Sequence, residues 1–153
     1  MIRKFLATTA LFCLFSNAPA YPSAATSEQL AASDAEFRKA VAEIKEKKYQ
    51  PAIDRMMKIY TGTGADADLC NELGFAHRKL GHLDKSLTYY KEALELEPDH
   101  LEAHEYLGEL YLMMNRPDDA KKELATLTKL CGACEQQKEL AEAIGKYKAD
   151  KAS

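Results

Sequence analysis

Tryptophan is absent from the chain, and glycine and proline are sparse, with seven and five among 153 residues. So few chain breakers suit helices and leave little material for the turns of an all-β fold. No β-branched run alternates with polar residues between turns, so no strand is expected. No Lys/Arg-rich run occurs, and acidic residues outnumber basic ones 24 to 21. That balance argues against nucleic acid and anionic membrane surfaces as partners. No phosphate loop, dinucleotide glycine turn, HExxH or catalytic triad is present. Neither an enzyme nor a cofactor is therefore expected.

The first twenty residues differ from the rest. Arg3 and Lys4 give a positive start, Phe5 to Ser16 is an apolar run, and Ala18 and Ala20 form an A-x-A cleavage site. These are the parts of a secretory signal peptide. The run is about twelve residues, too short to span a bilayer as a helix. An uncleaved anchor is the alternative. Phe12 precedes Cys13 where a bacterial lipoprotein site needs a small residue, so a lipid anchor is not expected. Removal of this segment leaves 19 basic and 24 acidic residues, a net charge of −5. The expected location is periplasmic or secreted, with no membrane span after cleavage.

A pattern returns every 34 residues. Leu73-Gly74 recurs as Leu107-Gly108, His77 as Tyr111, Ser86 as Ala120, and Tyr90 as Leu124. One step back gives a worn copy, in which Tyr49, Ala52, Met56 and Ile59 match Leu83, Ser86, Tyr90 and Ala93. Small residues allow helix backbones to approach, and large ones fill the space between them. A single helical pair cannot bury its apolar stripe alone, so neighbours must stack.

These positions resemble the tetratricopeptide repeat, whose pattern is W-x2-L-G-x2-Y, then A-x3-F, then P. The resemblance covers roughly residues 33–132. It implies an all-α, right-handed α-solenoid of three helical hairpins plus a C-terminal capping helix. The series Leu73-Gly74-Phe75-Ala76-His77-Arg78, then Glu105-Tyr106-Leu107-Gly108, then Leu130-Cys131-x-x-Cys134 also resembles a group of exported bacterial repeat proteins. The implied role is a protein–protein interaction scaffold.

The expected organisation is a signal peptide over 1–20 and a flexible segment over 21–32, partly helical from Ser27. A degenerate repeat follows at 33–66, then repeats at 67–100 and 101–134, then a cap and tail at 135–153. Ser33 and Glu36 have the spacing of a capping box that opens the first helix. Pro51 and Pro117 stand near helix starts, where a missing N–H costs little. Asp84 reads as the cap of the fourth helix, and Gly81 as a tight turn. Leu140, Ile144 and Tyr147 share one face of the last helix, with charge around the rest.

In such a superhelix the first helix of each pair lines the concave face. Helical phase places Asp34, Phe37, Val41 and Ile44 there in the first repeat, and Asn71, Phe75 and Arg78 in the second. Glu102, Glu105, Glu109 and Leu112 follow in the third. The groove is thus apolar at one end, mixed in the middle and acidic at the other. It suits a partner peptide or protein segment, with a basic segment favoured by the glutamates. The alternative is that Glu102, Glu105 and Glu109 are a solvated helix face. Relatives that grip a peptide carboxylate use a cluster of Lys and Asn; here only Asn71 and Arg78 could contribute, and three acids oppose them.

Cys131-x-x-Cys134 at a helix start has the spacing and dipole position that activate a thiol. No βαβ pattern accompanies it, no histidine follows Cys134, and no second C-x-x-C completes a zinc site. A disulfide pinning the last repeat to its cap is the plainer reading; a thiol–disulfide accessory role is the alternative. Cys70 replaces the pattern's tryptophan and reads as a small buried hydrophobe. His100 and His104, His77 and His82, with Met56, Met57, Met113 and Met114, raise a copper or zinc site. Yet His77 and His104 occupy positions that are aromatic and packed in the pattern, so packed or surface histidines and no metal are expected.

Overall fold

Three turns, each 34 residues from the next, set the architecture of the computed structural model, which describes residues 25–152. Lys47, Gly81 and Asn115 all have positive φ, at 60°, 77° and 58°. At each turn the following N–H reaches back five residues: Lys48 to Glu43 O, His82 to His77 O, and Arg116 to Tyr111 O, at 2.8–2.9 Å. The positive-φ residue itself donates three residues back, to Ile44, Arg78 and Leu112. This paired closure is the Schellman motif, which satisfies carbonyls that a helix end would otherwise leave orphaned. The first repeat has lost its Leu-Gly pair, yet keeps this backbone turn.

The described residues form seven helices and no strand: α1 Ser27–Lys45, α2 Tyr49–Gly62, α3 Ala67–Lys79, α4 Leu83–Leu96, α5 Leu101–Met113, α6 Pro117–Cys131 and α7 Glu135–Ala152. α1 pairs with α2, α3 with α4, and α5 with α6; α7 lies on both α5 and α6. First helices also touch in series, α1 to α3, α3 to α5, and α5 to α7. This is the expected α-solenoid of three hairpins and a cap. The expected signal peptide, 1–20, lies outside the described residues.

Two helix starts differ from expectation. α1 begins at Ser27, where partial helix was expected, and runs unbroken into the first repeat, so it starts before the expected cap at Ser33. The capping box is made by Thr26 and Gln29, each side chain bonding the other's backbone N–H. Ser33 is inside the helix, with Oγ 3.1 Å from Thr63 Oγ1. α4 begins at Leu83, so Asp84 lies in its first turn and His82 stands at the cap position. Asp66 caps α3, accepting from Leu69 N at 2.7 Å.

The apolar side chains gather in two main clusters. One joins Ala40, Ile44, Ala52, Ile53 and Met56 to Leu69 and Leu73; the other joins Tyr90, Leu107, Leu110 and Leu127 to Leu140 and Ile144 of α7. Phe75 packs against both and links them. Each large side chain fully removed from water contributes about 1.5–3 kcal/mol. Ser86 is completely buried and donates to Gly74 O at 2.7 Å. A buried hydroxyl without such an acceptor would cost the fold rather than hold it.

Candidate functional site

The faces of α1, α3, α5 and α7 form one continuous series, and helical phase placed the candidate residues along it. Their depths vary. Phe37 and Val41 are half-buried at the α1 end. Ile44 is buried in the first core cluster and gives the groove no free surface. Asn71, Arg78 and Glu105 are all less than a tenth exposed. Leu112 is also buried. Glu102 is exposed, and Glu109 is partly exposed.

Arg78 organises the middle of this face. Its guanidinium pairs with Glu109 Oε2 of the next repeat. It also lies 5.4 Å from the Phe75 ring centre and 5.3 Å from that of Tyr106. Phe75 and Tyr106 themselves pack with centroids 5.2 Å apart. A planar cation can use both aromatic faces while its N–H groups reach a carboxylate. Phe75, Arg78 and Glu109 are thus brought together, and Tyr106 joins them. Tyr106 was read only as part of the repeat pattern.

Glutamates dominate beyond Arg78. Glu105 is 4% exposed. Burial raises its carboxyl above the usual range, and a hydrogen bond and charge from Glu139 on α7 add to this, with Glu109 contributing and Arg78 opposing. Glu139 lies 34 residues after Glu105. The same step takes Glu102 to Gln136, whose Nε2 donates to Glu102 Oε1 at 3.1 Å. The cap therefore continues the repeat's register, and one more 34-residue step along the sequence finds both partners. Glu109, Glu139, Glu142 and Lys146 line an open recess between α5 and α7. Nearer the middle, burial and then Asp68 raise the Glu72 carboxyl.

Three buried polar atoms on or under this face lack a hydrogen-bond partner among the described residues: Asn71 Oδ1, Arg78 Nε and Tyr90 Oη. Asn71 and Arg78 do not join a lysine cluster here. Arg78 is committed to Glu109, and the surrounding charge is acidic.

Cys131 and Cys134 are disulfide-bonded across the gap between α6 and α7. Gly132 between them has φ +69°. Cys70 is a buried free thiol, which burial, then Glu92 and Asp66, push up to about 12. His100 and His104 do not share a function. His100 caps α5 through Nδ1, at 3.3 Å from Ala103 N, and its Nε2 is 3.2 Å from Asp68. His104 Nδ1 is 2.7 Å from Glu123, and its Nε2 is 2.9 Å from Pro98 O. Among the described residues, no three or more of His, Cys, Asp and Glu are grouped to hold a metal. No described helix is long and apolar enough to cross a membrane.

Residues 77–144 match the tetratricopeptide repeat family. The fold is similar to that of the second such domain of human RPAP3, solved in complex with an HSP70 peptide. That likeness has a TM-score of 0.69 and 20% identity, over 78% of this chain and 97% of the other. It is also similar to the translocator chaperone SycD of Yersinia enterocolitica, with a TM-score of 0.72 and 15% identity, over 84% and 100%. A third similar structure is PcrH in complex with the chaperone-binding region of PopB, with a TM-score of 0.66 and 16% identity, over 76% and 94%. No curated protein sequence matches significantly.

Proposed function

We propose that this chain, built on tetratricopeptide repeats, is a non-catalytic scaffold that holds a basic segment of a protein partner along its concave face. The carrying observation is the state of Arg78. It is the positive side chain set deep in that face, and Glu109 already neutralises it. Glu102 and Glu139 remain as exposed acids along α5 and α7, and exposed Glu142 beside them pairs with Lys146 at 2.8 Å. An approaching Lys or Arg would meet a surplus of carboxylate, and charge complementarity sets both on-rate and register. Phe37 and Val41 offer apolar contact at the other end. Two similar structures were solved with a bound peptide or partner region, which supports the use of this fold for such segments.

The proposal includes export to the periplasm or beyond, supported by Arg3, Lys4, the apolar run to Ser16 and the Ala18-x-Ala20 site. In that setting a disulfide persists. Cys131–Cys134 is assigned the job of fixing α7 to the end of α6, so that Glu139 and Glu142 stay opposite Glu105 and Glu109.

The test is fluorescence-polarisation binding of matched peptide pools, one rich in Lys and Arg and one rich in Asp and Glu. The basic pool should bind, weaken with salt, and lose affinity to Glu102→Lys/Glu109→Lys/Glu142→Lys. Equal binding of both pools, or an unchanged affinity in the triple variant, removes the acidic face from the mechanism.

A further inference from the structure

A second site lies away from the concave face, among α2, the end of α3 and the start of α4. His77 is in the last turn of α3, and His82 stands at the N-cap of α4. The Schellman turn between them is closed by His82 N donating to His77 O at 2.9 Å. The closed turn therefore fixes the two Cα positions relative to each other. His82 makes no side-chain capping bond, unlike Asp66 and His100 at the starts of α3 and α5. Its ring turns to His77 instead, with the two Nδ1 atoms 3.3 Å apart. The His77 ring is held from its other side by Tyr89, parallel to within 1° at 5.5 Å between centroids. Tyr89 Oη in turn donates to Met57 Sδ at 3.2 Å. All four residues line an open pocket of about 320 Å³.

We propose that His77 and His82 chelate a copper or zinc ion through their Nδ1 atoms, in this pocket. Two nitrogens each bound at 2.0–2.1 Å to a tetrahedral ion stand about 3.3–3.4 Å apart. The observed spacing of 3.3 Å already has that value. In the metal-free protein the two Nδ1 atoms share one hydrogen. Metal binding needs both lone pairs, so that hydrogen moves to the Nε2 of its own ring. Neutral imidazoles suit both metals, and the Met57 thioether in the same pocket is a soft group of the kind that suits copper(I). Solvent completes the coordination through the open side. The C-terminal carbonyls of α3 favour a cation here, while the N-terminus of α4 at His82 and Lys85, which also lines the pocket, oppose it and limit the affinity. A bound ion would tie the end of α3 to the start of α4.

The experiment is calorimetric titration of the untagged, disulfide-intact full chain with zinc(II) and copper(II), with thermal melts beside it. Wild type should take up one saturating equivalent and melt at a higher temperature with metal. His82 is exposed, so His82→Asn leaves the core untouched. Loss of an outer partner of a ligand already costs 10–100-fold in metal affinity; loss of the ligand itself should cost roughly tenfold or more. Lys85→Ala should tighten binding. Copper(II) in the wild-type site should show hyperfine coupling to two nitrogens in its electron paramagnetic resonance spectrum, and any copper still bound by His82→Asn should couple to one fewer. Absence of saturable uptake, or uptake that His82→Asn leaves unchanged, overturns the site. Neither result touches the peptide-binding proposal, which uses a different face of α3 together with α1, α5 and α7.

Discussion

The ring of Tyr90 packs so closely on Gly74 that a Cβ at that glycine would stand 2.7 Å from Cδ1 and Cε1. Tyr90 is fully buried, and its ring is rigid. Alanine normally improves a helix over glycine by about 1 kcal/mol, but overpacking a filled core costs about 1–3 kcal/mol. Gly74→Ala should therefore lower stability by up to about 2 kcal/mol in urea melts. Gly145 in α7 has nothing within 4 Å of its would-be Cβ, so Gly145→Ala should gain about 0.5–1 kcal/mol. Equal melts for the two variants would show that the α3–α4 contact is looser than described.

The repeat was legible because close packing leaves a residue-by-residue trace. Leu73-Gly74, Ser86 and Tyr90 must have their sizes for α3 to meet α4, so the spacing survives in the sequence. The start of α1 left a misleading trace. Thr26–Gln29 and Ser33–Glu36 both have cap spacing; Thr26 makes the cap, and Ser33 lies inside the helix with its hydroxyl against Thr63. For the groove, helical phase gave the direction of Asn71, Arg78 and Glu105 but not their depth. Tyr106 of the next repeat covers Arg78, and Glu139 of the cap stands beside Glu105. His77 and His82 were legible as neighbours of one turn, but five residues across a turn match neither helical nor strand spacing, so their ring contact was not.

Lys47 occupies the backbone position that Gly81 holds one repeat later. A left-handed conformation costs an ordinary residue roughly 1–2 kcal/mol, and glycine avoids that cost while losing more entropy on folding. Lys47→Gly should stabilise the chain by about 0.5–1 kcal/mol, read as a shift in the urea midpoint at constant slope. A destabilised variant would mean that the Lys47 side chain, not the backbone turn, matters at that position.

His104 offers N–H groups to two acceptors at once, the Glu123 carboxylate and Pro98 O. Only the imidazolium can donate from both nitrogens. Burial pulls its pKa down, but these two bonds and the Glu123 charge outweigh burial and leave it above 6.5. The folded state thus holds the proton more tightly than the unfolded chain. The stabilisation is complete below about pH 6.5 and is lost as pH rises through the folded pKa. His104→Gln should lose more stability at pH 6 than at pH 9, so the difference from wild type should shrink with rising pH. A difference that stays constant across that range would show that His104 contributes packing alone.

Glu105 has the same sign but a different origin. Burial, then Glu139, push its carboxyl up from 4.5 to about 8, with Glu109 adding and Arg78 opposing. Between those values the folded chain keeps a proton that the unfolded chain has released, so stability falls with rising pH. One such proton is worth at most about 1.4 kcal/mol per pH unit. Glu105→Gln keeps the shape and removes the charge. It should leave stability near pH 4.5 almost unchanged and raise it at pH 8, flattening the decline between. Because His104 declines over part of the same interval, the comparison must be wild type against Glu105→Gln, each melted in urea at every pH. Binding gives an independent reading. A lysine or arginine placed beside Glu105 and Glu139 would favour the ionised pair and expel the shared proton. Proton uptake by the buffer should therefore accompany association of a basic peptide near pH 7, and Glu105→Gln should abolish that uptake. Association with no proton released by the wild type would place the peptide's charge away from this pair.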